Sequence, residues 1–271
     1  MYRPSIWPGT YPSRGTAFAI HLVLSLLAFS TLVIMMLLFW FPGELFLVDG
    51  GWQGLKLVAM VDLVLGPALT LLLYKPGKPK LIFDLSLIAA IQIAALGYGF
   101  YTTYTQRTVA IVFAENNFAT LSAHDHKLAN QELESLQLKP KQIDSPGIMQ
   151  VAMMVTPPPE NYSQFVANLL NGYPEPQQRS DLFIPIANGH SMMQNAQQDE
   201  ALLEANGSLQ AVNEALASRS MTMDDVEVYP YKTRYSSGMA LFDPQTLRII
   251  DFVPQSATLP ADSVVSASDS S

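Results

Sequence analysis

The fold of this chain is decided by residues 56–104, which read KLVAMVDLVLGPALTLLLYKPGKPKLIFDLSLIAAIQIAALGYGFYTTY. Two apolar runs face each other here across a short basic turn, Lys75–Lys80. Leu57–Tyr74 carries Asp62 as its only charge, and Leu85–Tyr104 carries none. A helix of about 20 apolar residues crosses the hydrocarbon core of a bilayer, which is ~30 Å thick. Both runs are therefore predicted to be transmembrane helices.

A third apolar run, Thr16–Phe41, precedes these two and contains no Asp, Glu, Lys or Arg. The alternative for such a segment is a cleaved signal peptide. Its apolar region would normally extend over ~7–15 residues and end in small residues. This run ends instead in two phenylalanines around Trp40, followed by Pro42 and Gly43. A retained spanning helix is therefore predicted.

The distribution of basic residues predicts how the spans are oriented, because Lys and Arg near span ends favour the cytoplasmic side. The N-terminal tail and the turn carry Arg3, Arg14, Lys75, Lys78 and Lys80. The opposite side carries only Lys56 and Arg107 near the span ends. We therefore expect a cytoplasmic N-terminus and, in a Gram-negative cell, a periplasmic location for everything after residue 104.

The predicted fold class is a membrane protein in which three transmembrane helices are followed by a periplasmic α+β domain. The predicted segments are a cytoplasmic tail (1–15), a three-helix transmembrane domain (16–104, with spans at about 16–41, 57–74 and 85–104), the periplasmic domain (105–253) and a disordered tail (254–271). The last segment is rich in Ser, Ala and Asp and has too little apolar content to fold.

Within the α+β domain, alternating apolar residues and turn signals predict strands, and helical spacing predicts helices. Strands are predicted at Thr108–Phe113, Phe118–Ser122, Ile148–Val155, Met239–Phe242 and Leu247–Val253. Helices are predicted at Asp125–Leu138, Asn161–Leu170 and Gln194–Arg219, the last interrupted at Asn206–Ser208.

Composition excludes several classes of function. Residues 105–271 hold nine Lys and Arg against nineteen Asp and Glu, which argues against nucleic acid as a partner. The chain has no Cys, which excludes disulfides, thiolate catalysis and Cys-ligated metals. No G-x-S-x-G, H-E-x-x-H or Gly-rich phosphate loop occurs. We therefore expect no enzyme activity, no cofactor and no metal site, and we interpret His124 and His126 as exposed loop histidines.

Small and polar residues form a stripe on each apolar run. The stripes are His21, Ser25 and Ala28 on the first run, Ala59, Asp62, Gly66 and Thr70 on the second, and Gln92, Ala95 and Gly99 on the third. Such stripes let helices approach closely and hydrogen-bond in lipid. One interpretation is that they hold the three spans together, with Asp62 bonded to Gln92 or to a backbone group. The other is a groove for a fourth helix from a partner, widened where Pro67 frees a backbone carbonyl.

Nine short stretches carry a family resemblance. They are Phe18–Leu22, Trp40–Gly43, Gly50–Trp52, Val61–Thr70, Lys75–Pro79, Asp84–Leu85, Gln92–Gly99, Val109–Phe113 and Ala240–Thr246. Together they resemble the TfpX/TfpZ family of type IV pilin accessory proteins, over residues 14–122 and again at the terminal hairpin. The resemblance implies an inner-membrane, chaperone-like protein that acts on a cognate major pilin and affects pilus assembly or surface piliation. Other inner-membrane proteins of pilus assembly are further candidate partners.

The resemblance also implies which residues would meet the pilin, whose membrane helix carries an acidic residue near its inner end. Counted from the predicted span ends, His21 lies about 8 Å deep on that side and Asp62 about 9 Å from the opposite side. We therefore expect His21, rather than Asp62, to meet the pilin acid. The full set of candidates for contact with the pilin helix is His21, Ser25, Ala59, Asp62, Gly66, Pro67, Gln92 and Gly99.

Two other functions remain open from the sequence. The first is a membrane sensor or signalling subunit with a periplasmic ligand domain. The parts predicted to face the cytoplasm are only a tail and a turn, so such a subunit would act through a separate partner. The second is a small transporter subunit, which the few polar residues inside the spans disfavour.

Overall fold

The computed structural model describes residues 12–143, 149–154 and 159–255. Most of the predicted N-terminal and C-terminal tails (residues 1–11 and 256–271) lies outside the described residues. So do residues 144–148 and 155–158, which include both end residues, 148 and 155, of one predicted strand.

Three helices are long and apolar enough to cross a membrane, as predicted: Arg14–Trp40, Gly51–Leu73 and Leu81–Thr105. We call them the first, second and third span. Their outward-facing Leu and Ile side chains are exposed, as on Leu24, Leu72 and Ile93, which suits a lipid environment. The chain is therefore a membrane protein with a three-helix bundle.

The first two spans are not uniform α-helices. The first is α-helical over Arg14–Met35 and ends in a π-helical turn, Met36–Trp40. The second is α-helical over Gly51–Ala59 and Gly66–Leu73, with a π-helical turn at Met60–Leu65 between them. π-Helical turns inside helices are rare and occur often at functional sites.

An apolar cluster joins the spans at the end where the first span leads into the second. Leu32, Met36 and Trp40 of the first span form an apolar cluster with Leu55 and Val58 of the second. The Trp40 ring also meets the third span edge-on, with its centroid 5.0 Å from that of Phe100 and 5.7 Å from that of Tyr104. Aromatic pairs in this geometry add to the stability that buried area supplies.

After the third span the chain forms a curled seven-stranded sheet within the described residues. The strands are β1 (Thr108–Ala114), β2 (Asn117–Ser122), β3 (Met149–Met154), β4 (Phe183–Pro185), β5 (Glu227–Lys232), β6 (Ser237–Asp243) and β7 (Arg248–Pro254). Their order is β4-β3-β1-β2-β5-β6-β7, and the pairs β1–β3 and β2–β5 are parallel. The helices of this domain are Ala123–Ser135, Pro159–Leu170, Ile186–Met193, Glu200–Ala205 and Leu209–Ser218.

Both faces of the sheet are buried. On one face, which we call the enclosed core, side chains of the helix Ile186–Met193 pack on the strands, and other helices cover the opposite face. Ile111 and Phe113 of β1 lie in the enclosed core with Phe118, whereas Ala110 and Val112 lie on the opposite face. The period of two that distinguishes these sets is the ordinary alternation of a strand. The structure therefore confirms an α+β domain after the spans.

The predicted hairpins are confirmed, and two strands were not predicted. β1 and β2 pair around Glu115 and Asn116, whose positive φ values suit the tight turns that fit strand twist. β6 and β7 form the terminal hairpin. β5 was not predicted, because Pro230 lies within it and a proline inside a run argues against a strand. Within β5, only Tyr231 and Lys232, the two residues after that proline, pair with β2.

The predicted helices differ from the observed ones mainly at their ends. The first begins at Ala123 and stops at Ser135, with Ser122 as its N-cap. The predicted break at Asn206–Ser208 is confirmed, but the helix before it begins only at Glu200. Asp199 caps that helix by accepting a hydrogen bond from the Leu202 N–H at 2.8 Å.

Candidate functional site

Asp62 lies at the centre of the bundle and joins all three spans. Its side chain is only 7% exposed. The Oδ1 atom accepts hydrogen bonds from Ser25 Oγ of the first span and Gln92 Nε2 of the third, each at 3.3 Å. Among the described residues, Oδ2 has no hydrogen-bond partner. One interpretation of the stripes was that they hold the three spans together, with Asp62 bonded to Gln92 or to a backbone group. The bond between Asp62 and Gln92 is present in the structure.

The helix that carries Asp62 begins at Gly51 rather than at the predicted Leu57, so Asp62 is equally far in sequence from both ends of the helix Gly51–Leu73. A carboxylate inside a spanning helix is costly, so it is expected to face protein rather than lipid. Its depth in the membrane stays a prediction.

His21 makes a separate contact with the second span. Its Nδ1 lies 2.5 Å from Oγ1 of Thr70, which is buried between the helices. The hydroxyl can donate to Nδ1 when the ring proton is on Nε2. In that tautomer Nε2 is a donor.

The small residues of the stripes let the spans approach closely. A Cβ atom on Gly66 would lie 1.7 Å from Nε2 of Gln92, and one on Gly99 would lie 2.9 Å from Cγ2 of Val58. Pro67 follows Gly66 and has no N–H for the preceding turn, which the π-helical turn accommodates. Gly66 is therefore the residue that allows Gln92 to reach Asp62.

The remaining candidate, Ala59, is partly buried one turn before Asp62. Of the residues predicted to contact a pilin helix, the structure thus brings Ser25, Asp62, Gly66 and Gln92 together and places His21 and Gly99 in two other helix–helix contacts. Contact of any of them with a pilin stays a prediction.

A second buried carboxylate, Asp49, joins the bundle to the sheet domain. It lies in the loop between the first and second spans and is 2% exposed. Its Oδ1 accepts a hydrogen bond from Thr120 of β2 at 2.8 Å and the N–H of Arg234 at 3.4 Å, and its Oδ2 accepts one from Thr108 of β1. Burial raises the pKa of the Asp49 carboxyl, against the opposing effect of these hydrogen bonds and of the Arg234 charge.

The loop that carries Asp49 is part of the core of the sheet domain. A short helix in it, Leu45–Val48, places the side chains of Leu45 and Val48 in the enclosed core next to Phe113. The Val48 carbonyl accepts a hydrogen bond from the Thr233 hydroxyl, at the turn between β5 and β6. Bundle and domain are thus connected through this loop as well as through the chain at residue 105.

Gly50 completes this junction. Its φ of +100° is in the region that favours glycine, and a Cβ atom there would lie 2.3 Å from Cε2 of Tyr235. Sequence reasoning missed Asp49, Thr108, Thr120 and Thr233 as a site. The available signal was an acidic residue directly followed by two glycines at the start of a span.

Only one of the two histidines that were predicted to be exposed is exposed. His124 is exposed, but His126 is buried in the helix Ala123–Ser135, where its Nε2 lies 3.2 Å from Nδ2 of Asn130. The prediction was wrong for His126, because it lies on the buried face of this helix together with Ala129, Asn130 and Leu133.

Comparison with known proteins places the chain in a family. The fimbrial assembly protein of serogroups C1 and C2 of Dichelobacter nodosus is 35% identical over 108 residues, which are 39% of this chain and 82% of that protein. The chain belongs to the fimbrial assembly protein family.

Two longer members of the fimbrial assembly family from the same organism are similar over a smaller share of their length. The serogroup I protein is 35% identical and the serogroup E1 protein 34% identical, each over 108 residues. These residues are 39% of this chain and 42% of each relative, so the chain spans less than half their length. No protein-family model matches the chain, and no solved structure matches it.

Proposed function

We propose that the chain is an inner-membrane accessory protein that binds a cognate type IV major pilin and modulates pilus assembly, as the TfpX/TfpZ resemblance implies. The observation that carries the proposal is the similarity to proteins named for fimbrial assembly. The role is that of a chaperone-like binding protein rather than an enzyme. The N-terminus is cytoplasmic, and the sheet domain is periplasmic.

The architecture suits a pilin before it enters a pilus. The resemblance implies a partner with one membrane helix followed by a globular head. The three-span bundle offers helix surfaces in the membrane, and the sheet domain begins directly at the end of the third span. Asp49 ties these two parts together, so one protein could hold both parts of a pilin in a fixed relation.

Within the bundle, His21 is the side chain proposed to meet the acidic residue of the pilin helix. It lies toward the end of the bundle with the basic turn, next to Thr70, and is partly exposed. Asp62 is instead proposed to be structural, because Ser25 and Gln92 already bond to it at the centre of the bundle. A carboxylate there would also repel the acid of a pilin.

Site-specific photo-crosslinking in cells tests the proposal. A crosslinker is placed at an exposed residue of each span, Leu24, Val64 or Ile93, and the captured protein is identified by mass spectrometry. We expect the major pilin to be captured from at least one face. Capture of a sensor kinase or a permease in its place would support the alternative functions and contradict this one.

The role of His21 is tested in the same cells with His21→Leu. We expect weaker pilin capture with normal abundance of the accessory protein, because a donor is lost but the apolar packing of the span is kept. His124→Leu is the matched control, since His124 is exposed on the sheet domain. Equal pilin capture by both variants would remove His21 from the proposed contact.

A further inference from the structure

We propose that Leu47, Trp52 and Tyr235 form an interfacial seat, a patch on which the sheet domain rests against the headgroup layer of the bilayer. Their side chains are 59%, 45% and 52% exposed. They come from the loop helix, the start of the second span and the turn between β5 and β6, so they are far apart in sequence. The inference does not rest on the identity of the protein partner.

The position of Trp52 along the membrane normal is indicated by Lys56. The Lys56 Nζ lies 5.1 Å from the centroid of the Trp52 ring, one helical turn back toward the start of the second span. Lysine side chains near span ends extend in this way so that the charge reaches the interface. Trp is also enriched at that level. The headgroup layer therefore lies around Trp52.

Tyr235 lies at the same level, although it belongs to the sheet domain. Gly50 precedes Trp52 by two residues, which is about 3 Å along a helix axis. The Tyr235 ring packs directly on Gly50, since a Cβ atom there would lie 2.3 Å from the ring. The hydrogen bond from Thr233 to the Val48 carbonyl holds the turn in this place. The phenol is thus positioned where tyrosine is enriched in membrane proteins.

The end of the third span lies at the same level along the membrane normal as Trp52 and Tyr235. The guanidinium of Arg107 lies 4.0 Å from the Tyr104 ring centroid, and its Nη1 donates to the Tyr104 carbonyl at 2.7 Å. β1 begins at the next residue, Thr108, whose hydroxyl bonds to Asp49. The junction between bundle and domain therefore lies within the interfacial layer rather than above it.

Leu47 extends the seat along the loop helix. Its neighbours Leu45, Phe46 and Val48 are all buried, whereas Leu47 alone in this helix is exposed. A single exposed Leu is ordinary on a soluble surface. Here it precedes by only three residues Gly50, on which the Tyr235 ring packs. Leu57 and Met60, which follow Trp52 on the second span, are also apolar and exposed. These exposed apolar side chains beside a membrane span favour lipid as the occupant.

Spin labelling of the full-length protein tests the seat, because the chain contains no cysteine that would compete for the label. Tyr235→Cys and Leu47→Cys are each labelled with a nitroxide, and the protein is reconstituted in vesicles of phosphatidylcholine and phosphatidylglycerol. Power saturation then compares the label's accessibility to oxygen, which partitions into lipid, with that to a water-soluble nickel chelate. Leu24→Cys gives the lipid reference. Gln245→Cys gives the water reference, in the turn at the far end of β6 from Tyr235.

We expect the ratio of oxygen to nickel accessibility at both seat positions to lie between the two references and several-fold above that at Gln245. A ratio equal to that of Gln245 at both positions would show that the seat is in water and overturn the proposal. Low accessibility to both reagents would show that a protein surface covers it and would overturn the proposal as well. The two labelled positions lie on different elements, so a local disturbance at one leaves the other as a test.

Discussion

The Asp62 carboxyl group is buried among three apolar spans. Two neutral donors reach one of its oxygens at 3.3 Å, slightly beyond the usual range of hydrogen-bond distances. Hydrogen bonds of this kind between membrane helices contribute modestly to stability, about 0.6 kcal/mol on average. Removing the Asp62 carboxyl group has a larger effect on stability, because the buried donors of Ser25 and Gln92 then lose their acceptor.

Asp62→Ala is therefore expected to lower the free energy of unfolding by ~1–3 kcal/mol and to reduce the amount of protein in the membrane. Asp62→Asn keeps an acceptor oxygen of the same size and is the matched control, with abundance near that of the wild type. Thermal unfolding in detergent and immunoblots of membrane fractions measure both effects. Normal abundance of the Ala variant together with lost pilin capture would mean that Asp62 contacts the partner.

The Asp49 carboxyl group is subject to a different balance, since burial raises its pKa above the ordinary value of 3.8. The folded protein then binds a proton more readily than the unfolded chain does. Stability therefore falls as the pH rises from 3.8 through the raised pKa, and the loss is complete above it. When it is ionised, the carboxylate accepts hydrogen bonds from the hydroxyls of Thr108 and Thr120 and from the N–H of Arg234.

We expect Asp49→Asn to remove this pH dependence. The difference in unfolding free energy between wild type and Asp49→Asn should shift in favour of the wild type as the pH falls from neutral toward about 4. Chemical denaturation of both proteins across this range measures it, and the subtraction cancels the titration of other groups. A difference that stays constant with pH, or shifts toward the Asn variant in acid, would contradict the raised pKa.

At the scale of the elements, the contact between the second and third spans depends on the absence of a side chain at Gly66. A methyl group there would displace the amide of Gln92, which is the flexible end of a side chain, and so would disrupt its bond to Asp62. The loss is therefore expected to come from the hydrogen bond rather than from a backbone clash.

Gly66→Ala should destabilise the protein with Gln92 in place and have little effect in a Gln92→Ala background, where the amide is already absent. This coupling is what a double-mutant cycle measures. Gly97→Ala is the matched control on the third span, because a Cβ atom there would meet nothing within 4 Å. Equal destabilisation by Gly66→Ala in both backgrounds would mean that the glycine is needed for a reason other than the space that it leaves for the Gln92 side chain.

The elements also show what sequence patterns can predict. Long apolar runs are unambiguous, so the three spans could be predicted from the sequence. The polar stripes indicated the Asp62–Gln92 contact only within one of two interpretations. β5 could not be predicted, because Pro230 weakens a strand pattern and the short pairing with β2 depends on residues more than a hundred positions away. The Asp49 contacts were also out of reach, since no local pattern relates that loop to Thr120 or Thr233.

At the scale of the whole molecule, the first loop decides how bundle and domain are related. A single covalent connection at residue 105 would let the domain move freely on the bundle. The loop adds a second connection through apolar contacts of Leu45 and Val48 and through the hydrogen bonds of Asp49. A partner that enters the membrane with one helix and a folded head would then meet a surface of fixed geometry.

Pulsed electron paramagnetic resonance between two spin labels tests this claim most directly, with Ser30→Cys on the first span and Gln245→Cys on the sheet domain, both exposed. Nitroxide labels at these sites in reconstituted protein should give one narrow distance distribution, which Asp49→Ala should broaden. A broad distribution with Asp49 in place would contradict the account, because it would show that the loop does not fix the sheet domain on the bundle.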